Sequence, residues 1–138
     1  MAGHITILPW HYSAIIQGTW VVSINSLSIF NGIFLNTSVA QNDRVDFKVY
    51  LEAGTYTFIV MGATYSTYGI LTLLFDDSSQ GTIDLYSAGA VYNVLKSIVN
   101  ITVTTAGLKT ISLKMATKNA SSTGYGLGVC SMVLFRTA

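Results

Sequence analysis

The sequence predicts an all-β protein, a single-domain jelly-roll β-sandwich of about eight or nine short antiparallel strands with an N-terminal arm. The hydrophobic period is two rather than 3.6: in Arg44 to Leu51, Val45, Phe47, Val49 and Leu51 alternate with Asp46, Lys48 and Tyr50. Turn signals recur every 8–12 residues or so, a spacing that suits short strands and leaves no room for long helices. The length of 138 residues with 51% hydrophobic content suits one domain with one core and excludes a disordered chain.

Each element follows from local chemistry. Residues 1–17 read as an arm or first edge strand, broken at Pro9, the one proline. Their apolar residues Ile5, Ile7, Leu8, Trp10, Ile15 and Ile16 require a surface, either this chain's own sheet or a neighbouring subunit's, and are the candidates for an assembly arm. The sandwich then occupies 18–138. Strands are expected at Thr19 to Ile24 and Ser28 to Leu35, the latter containing Asn31-Gly32. Arg44 to Leu51 and Thr55 to Met61, joined by Glu52-Ala53-Gly54, read as a hairpin. Gly69 to Phe75 and Gly81 to Tyr86 flank the turn-rich Asp76 to Gly81, and Ala88 to Leu95 reads as loop. Ser97 to Thr104, Lys109 to Met115 and Gly126 to Phe135 complete the set, with Ala106-Gly107 and Lys118 to Gly124 as connections.

Only 9% of the residues are charged, against roughly 25% in ordinary domains. The net charge of +1 gives no footprint for nucleic acid or an anionic membrane. No apolar run approaches the roughly 18 residues of a membrane helix. With 16 Thr, 14 Ser and 8 Tyr, the polar surface must be mostly hydroxyl, which suits faces covered by neighbours or work outside the cytosol. The N-terminus has no Lys or Arg before an apolar stretch and so makes a poor secretory signal, which leaves the three sequons at Asn36, Asn100 and Asn119 as unused matches. Cys130 has no internal partner and, within Val129 to Val133, reads as a small buried hydrophobe.

Catalytic machinery is not visible. The two histidines, His4 and His11, lie in the arm with no acidic residue before Asp43. Among the carboxylates, adjacent Asp76 and Asp77 read first as turn residues; with Asp84 they are also weak candidates for a calcium site, and no other cofactor is expected. Gly124-Tyr125-Gly126-Leu127-Gly128 has no following helix to make a phosphate loop; in a strand its glycines permit a bulge or the close packing of Tyr125. What remains is a set of tyrosine- and amide-bearing loops around Tyr65, Tyr68, Tyr92 and Asn119. Such residues serve subunit interfaces, cap sandwich ends, or contact glycans by stacking on a pyranose and bonding its hydroxyls.

The order of segments is informative: Ala53 to Phe58, then Gly69-Ile70-Leu71, Asp76-Asp77, Gly81 to Tyr86, Tyr92-Asn93, Thr104 to Ile111, and Lys118 to Tyr125. Over about residues 44–137 this order resembles carbohydrate-binding-module-type jelly rolls, in the version found in bacteriophage tail, fibre and capsid-decorating proteins. The resemblance implies loop aromatics stacking on a sugar and an Asn near the last strand bonding it; the matching positions are Tyr65, Tyr68, Tyr92 and Asn119. It departs from that pattern in lacking a loop tryptophan, since Trp10 and Trp20 precede the matching region. It implies a virion subunit, made in the host cytoplasm, that assembles with itself (a trimer by preference), with other virion proteins and with cell-surface glycans. The alternatives are a stand-alone carbohydrate-binding module or a subunit of a self-assembling extracellular filament.

Overall fold

A computed structural model describes residues 3–138, and among them are eleven strands and no helix. In chain order these are β1 (Gly3–Ile7), β2 (Ala14–Gln17), β3 (Trp20–Ile24), β4 (Gly32–Asn36), β5 (Arg44–Leu51) and β6 (Gly54–Thr64), followed by β7 (Ile70–Phe75), β8 (Ser78–Asp84), β9 (Val91–Val103), β10 (Gly107–Thr117) and β11 (Gly128–Arg136). They form two antiparallel sheets. The six-stranded sheet has the order β3-β4-β11-β6-β9, with β1 also paired to β11; the five-stranded sheet has the order β2-β5-β10-β7-β8. Alternate side chains of each meet in one core, where Phe34, Phe47, Phe58, Leu71, Leu73, Ile111, Leu113 and Met115 are almost wholly buried. Each such side chain contributes about 1.5–3 kcal/mol by leaving water.

The structure has two strands beyond the nine expected, β1 and β2, both within residues 1–17, and three local expectations are corrected. The β1 strand lies along β11 from Gly3↔Arg136 to Ile7↔Met132, and β2 lies along β5 at Ala14↔Asp46 and Ile15↔Val45. Ile7 is therefore buried and Ile5, Leu8 and Trp10 half-buried on this chain's own sandwich, while Ile15 and Ile16 remain exposed.

The expected hairpin over 44–61 does not form. The β5 and β6 strands belong to opposite sheets, because each carries a face that must be buried and Glu52-Ala53 carries the chain across the core between them. The Tyr56 hydroxyl, donating to the Glu52 carbonyl at 2.8 Å, holds this arch.

The expected loop at Ala88 to Leu95 is strand from Val91 onward. Asn93 and Asn100, at φ 59° each, take left-handed conformations next to register shifts, so β9 bends yet stays paired with β6. Finally, the turn after β7 is only Asp76-Asp77, at φ 48° and 66°, a two-residue hairpin joining Phe75↔Ser78. Asp76 also accepts from the Thr110 amide at 2.8 Å and Asp77 from Arg44 at 2.6 Å, so both have structural work.

One buried polar group pins the two layers together. Asp43 is 0% exposed, and its Oδ2 accepts from Asn36 Nδ2 at 2.8 Å, Ser38 Oγ at 2.6 Å and the Ala40 amide at 3.1 Å. Asn36 in turn accepts from the Leu127 amide at 2.7 Å and donates to the Tyr125 carbonyl at 3.0 Å. The backbone of Asn42 and Asp43 pairs with Met115 of β10 in the other sheet at 2.8 and 2.9 Å.

Replacing Asn36 by Leu removes one of three donors from Asp43 Oδ2 and strands the Leu127 N–H in the interior, which costs about 3 kcal/mol. Urea denaturation is expected to show a correspondingly lower midpoint with an unchanged slope.

Candidate functional site

The outer face of the six-stranded sheet, away from the core, carries Ile33 and Leu35 of β4, Ala63 of β6 and Cys130 of β11. Period-two alternation sends Phe34 and Phe58 inward and these residues outward, so they need a separate cover. Two segments supply it.

The first is the β6–β7 loop, Tyr65 to Gly69. Its backbone is fixed by Tyr65 N to Leu85 O at 3.1 Å, Gly69 N to Gly126 O at 2.9 Å and Gly126 N to Thr67 O at 2.9 Å. The Ser122 hydroxyl is 3% exposed and lies within 2.7 Å of Tyr68 O and 3.2 Å of Ser66 O. Tyr68 is thereby laid against the glycine string. A Cβ on Gly128 would lie 2.5 Å from Tyr68 Oη and 2.7 Å from Ile33 Cδ1, and one on Gly126 would lie 2.6 Å from Tyr68 Cδ1. The Gly-x-Gly-x-Gly segment thus makes room for Tyr68 rather than Tyr125, and the bulge, the other expectation, follows it between Val129 and Ser131.

The second cover is the β3–β4 loop, Asn25 to Asn31, folded across the sheet toward β9. Asn93 clamps it from β9, accepting from the Ile29 amide at 3.0 Å and donating to the Leu27 carbonyl at 3.1 Å. Ser28 Oγ contacts Cys130 Sγ at 3.2 Å and donates to the Gly32 carbonyl at 3.1 Å. Cys130 is 2% exposed beneath it, the small buried hydrophobe the sequence predicts.

Between the two covers lies a cavity of about 300 Å³, lined by Asn25, Ile33, Leu35, Ala63, Thr64, Tyr65, Tyr68, Ala90 and Tyr92. Three of the four glycan-contact candidates therefore converge. Tyr65 is exposed and meets Tyr68 edge to face, at 6.1 Å between centroids and 80° between planes. Among the described residues none hydrogen-bonds the hydroxyls of Tyr65, Tyr68 or Tyr92, in contrast to that of Tyr56. No charged side chain lines the cavity. Burial, with Tyr92, Cys130 and Tyr65 as lesser contributors, pushes the Tyr68 hydroxyl up to about 12.

The fourth candidate, Asn119, does not join them. Its amide donates to Asp84 at 2.9 Å and its Oδ1 accepts from the Ser121 amide at 3.0 Å, so it shapes the 118–124 loop. The three weak calcium candidates are also separated. Asp76 and Asp77 precede β8 and Asp84 ends it, about 20 Å away along an extended strand. Among the described residues no three His, Cys, Asp or Glu side chains cluster to hold a metal.

No protein-family model and no curated protein matches the chain. Solved structures do. A Paenibacillus xanthan lyase superposes with a TM-score of 0.79 at 21% identity over 96% of this chain, which spans 13% of the lyase. A carbohydrate-binding module, CBM36, solved in complex with calcium and xylotriose, gives a TM-score of 0.64 at 16% identity, covering 95% of this chain and 98% of that one. The module CBM6cm-2 from Cellvibrio mixtus lichenase 5A, in complex with cellotriose, gives 0.63 at 15% identity, covering 97% and 98%. At these identities the likeness is one of fold, and the fold is the jelly roll of carbohydrate-binding modules.

Tyr68 is expected to be among the last tyrosines to ionise in a spectrophotometric titration at 295 nm, with the highest phase near pH 12 missing in Tyr68→Phe. Its folded value lies above the unfolded one, so keeping the phenol neutral contributes stability that is complete below about pH 10 and lost as pH rises toward 12.

Proposed function

We propose that the protein is a carbohydrate-binding module that takes a neutral sugar unit of a polysaccharide in the Tyr65–Tyr68–Tyr92 cavity, without catalysing a reaction on it. The observation that carries this is the convergence of three phenols with unused hydroxyls on one uncharged cavity. A pyranose presents an apolar face to an aromatic ring and hydroxyls at its rim; Tyr65 offers the ring, while Asn25, Thr64 and the tyrosine hydroxyls offer the polar partners. The pinned loops hold these groups in place before binding, which lowers the ordering cost of recognition.

The full-length structural neighbours are binding modules, which supports this reading over that of a virion subunit or a filament. Those two readings, and the trimer, rest on composition, the arm residues and the resemblance to phage proteins. One neighbour was solved with calcium; in this chain Asp76, Asp77 and Asp84 do not meet and no carboxylate lines the cavity, so the reading assigns the ion to neither place.

Affinity gel electrophoresis against soluble xylan, mixed-linkage β-glucan and galactomannan tests it. Retardation on at least one of them is expected, unchanged by EDTA. Tyr65→Ala and Tyr92→Ala should each weaken it about tenfold, about 1.4 kcal/mol, while Asn119→Ala leaves it intact. Equal migration with and without every polysaccharide, or retardation indifferent to both tyrosine variants, would overturn the reading.

A further inference from the structure

Every Asp, Glu, Lys and Arg of the chain lies at Asp43 or beyond. The charge-free first part of the sequence builds one side of the sandwich. The β8 and β9 strands pack together on one side, with Ile98 of β9 against Gly81 of β8, which leaves β2 and β3, the opposite edge strands of the two sheets, on the other. An edge strand normally carries a lysine, a proline or a bulge that blocks pairing with another chain. The β3 segment Trp20-Val21-Val22-Ser23-Ile24 has none of these, and its register with β4 is unbroken from Trp20↔Asn36 to Ile24↔Gly32.

Two features of β3 indicate something that pairs with it. The first is a missing cover. Trp20, Val22 and Ile24 share the core-facing side, and Trp20 is buried, stacked on Phe34 at 5.4 Å; yet Val22 is 54% and Ile24 90% exposed.

The second feature is the parity of its backbone bonds. Thr37 N donates to Thr19 O at 2.8 Å and Asn25 N to Asn31 O at 3.1 Å, so the odd-numbered residues face β4. In an antiparallel ladder the N–H and C=O groups of Trp20, Val22 and Ile24 then point outward. A bilayer cannot satisfy such groups, whereas another strand can.

We infer that β3 pairs antiparallel with β3 of a second copy across a two-fold axis centred on Val22, joining two six-stranded sheets into one. The outward set is self-complementary in that register. Val22 meets Val22 of the second copy and Trp20 meets Ile24, each as a hydrogen-bonded pair, and the exposed Val22 and Ile24 side chains cover one another. With no Asp, Glu, Lys or Arg in β3 or its neighbour β4, two such edges approach without repulsion between their own side chains. The contact is isologous and closes at two.

Sedimentation equilibrium of the full chain is expected to give a dimer. Val22→Lys and Ile24→Lys, each placing a charge on the edge, should give monomers at least tenfold weaker in self-association. Leu95→Lys, on the opposite edge strand β9 of the same sheet, should remain dimeric; circular dichroism melts confirm that all three variants fold. A monomeric wild type at 100 μM overturns the inference, whether or not it floats with phosphatidylcholine vesicles. So does a dimer that both β3 variants leave intact, or a larger assembly.

Discussion

The carboxylate of Asp43 is the constraint from which most of the architecture follows. It is 0% exposed, and a buried charge is tolerable only where donors reach it; here they all reach Oδ2, while Oδ1 has no partner among the described residues. Those donors are Asn36, Ser38 and the Ala40 amide, so the chain between β4 and β5 must curl around it as it passes from one sheet to the other. Asn36 carries the constraint onward to Leu127 and Tyr125, which sets where β11 begins and how the 118–127 segment lies. Gly18 completes the enclosure from the other side. Its φ is +93°, and a Cβ there would come within 2.5 Å of Asp43 Oδ1.

The position of the cavity descends from that arrangement. With Leu127 and Tyr125 held by Asn36, the glycines at 126 and 128 sit where Tyr68 can lie on bare backbone, and the Ser122 hydroxyl is placed to hold the Tyr68 and Ser66 carbonyls. The Asn93 clamp acts independently on the opposite rim, using a left-handed backbone that asparagine tolerates better than most residues. The result is a concave, uncharged pocket whose walls come from chain segments distant in sequence.

Much of the fold was legible. The alternation over 44–51 and the turn residues located nine of the strands, because period-two burial leaves a direct trace in sequence. Connectivity was not legible in the same way. Whether β5 and β6 form a hairpin or an arch depends on which layer each joins, and both arrangements satisfy the same alternation. Tyr65, Tyr68 and Tyr92 could be found because aromatic residues in turn-rich stretches stand out. The floor of the cavity could not be found that way, although Ile33-Phe34-Leu35 is apolar on both faces, a sign that the outer face is covered too. Asn119 misled because an amide in a loop fits a turn-forming role as well as a ligand-binding one.

The placement of β11 has a consequence for how the molecule comes into being. It is the last strand in chain order, yet it lies inside its sheet, bonded along one flank to β6 and along the other to β4 and β1. During synthesis the earlier strands of that layer emerge with the slot for β11 vacant, and Phe58, Val60 and Phe34 face a half-built interior. Native closure therefore waits for residue 136 to clear the ribosome, and it is slow, in the range of about milliseconds to seconds typical of sandwiches dominated by distant pairings.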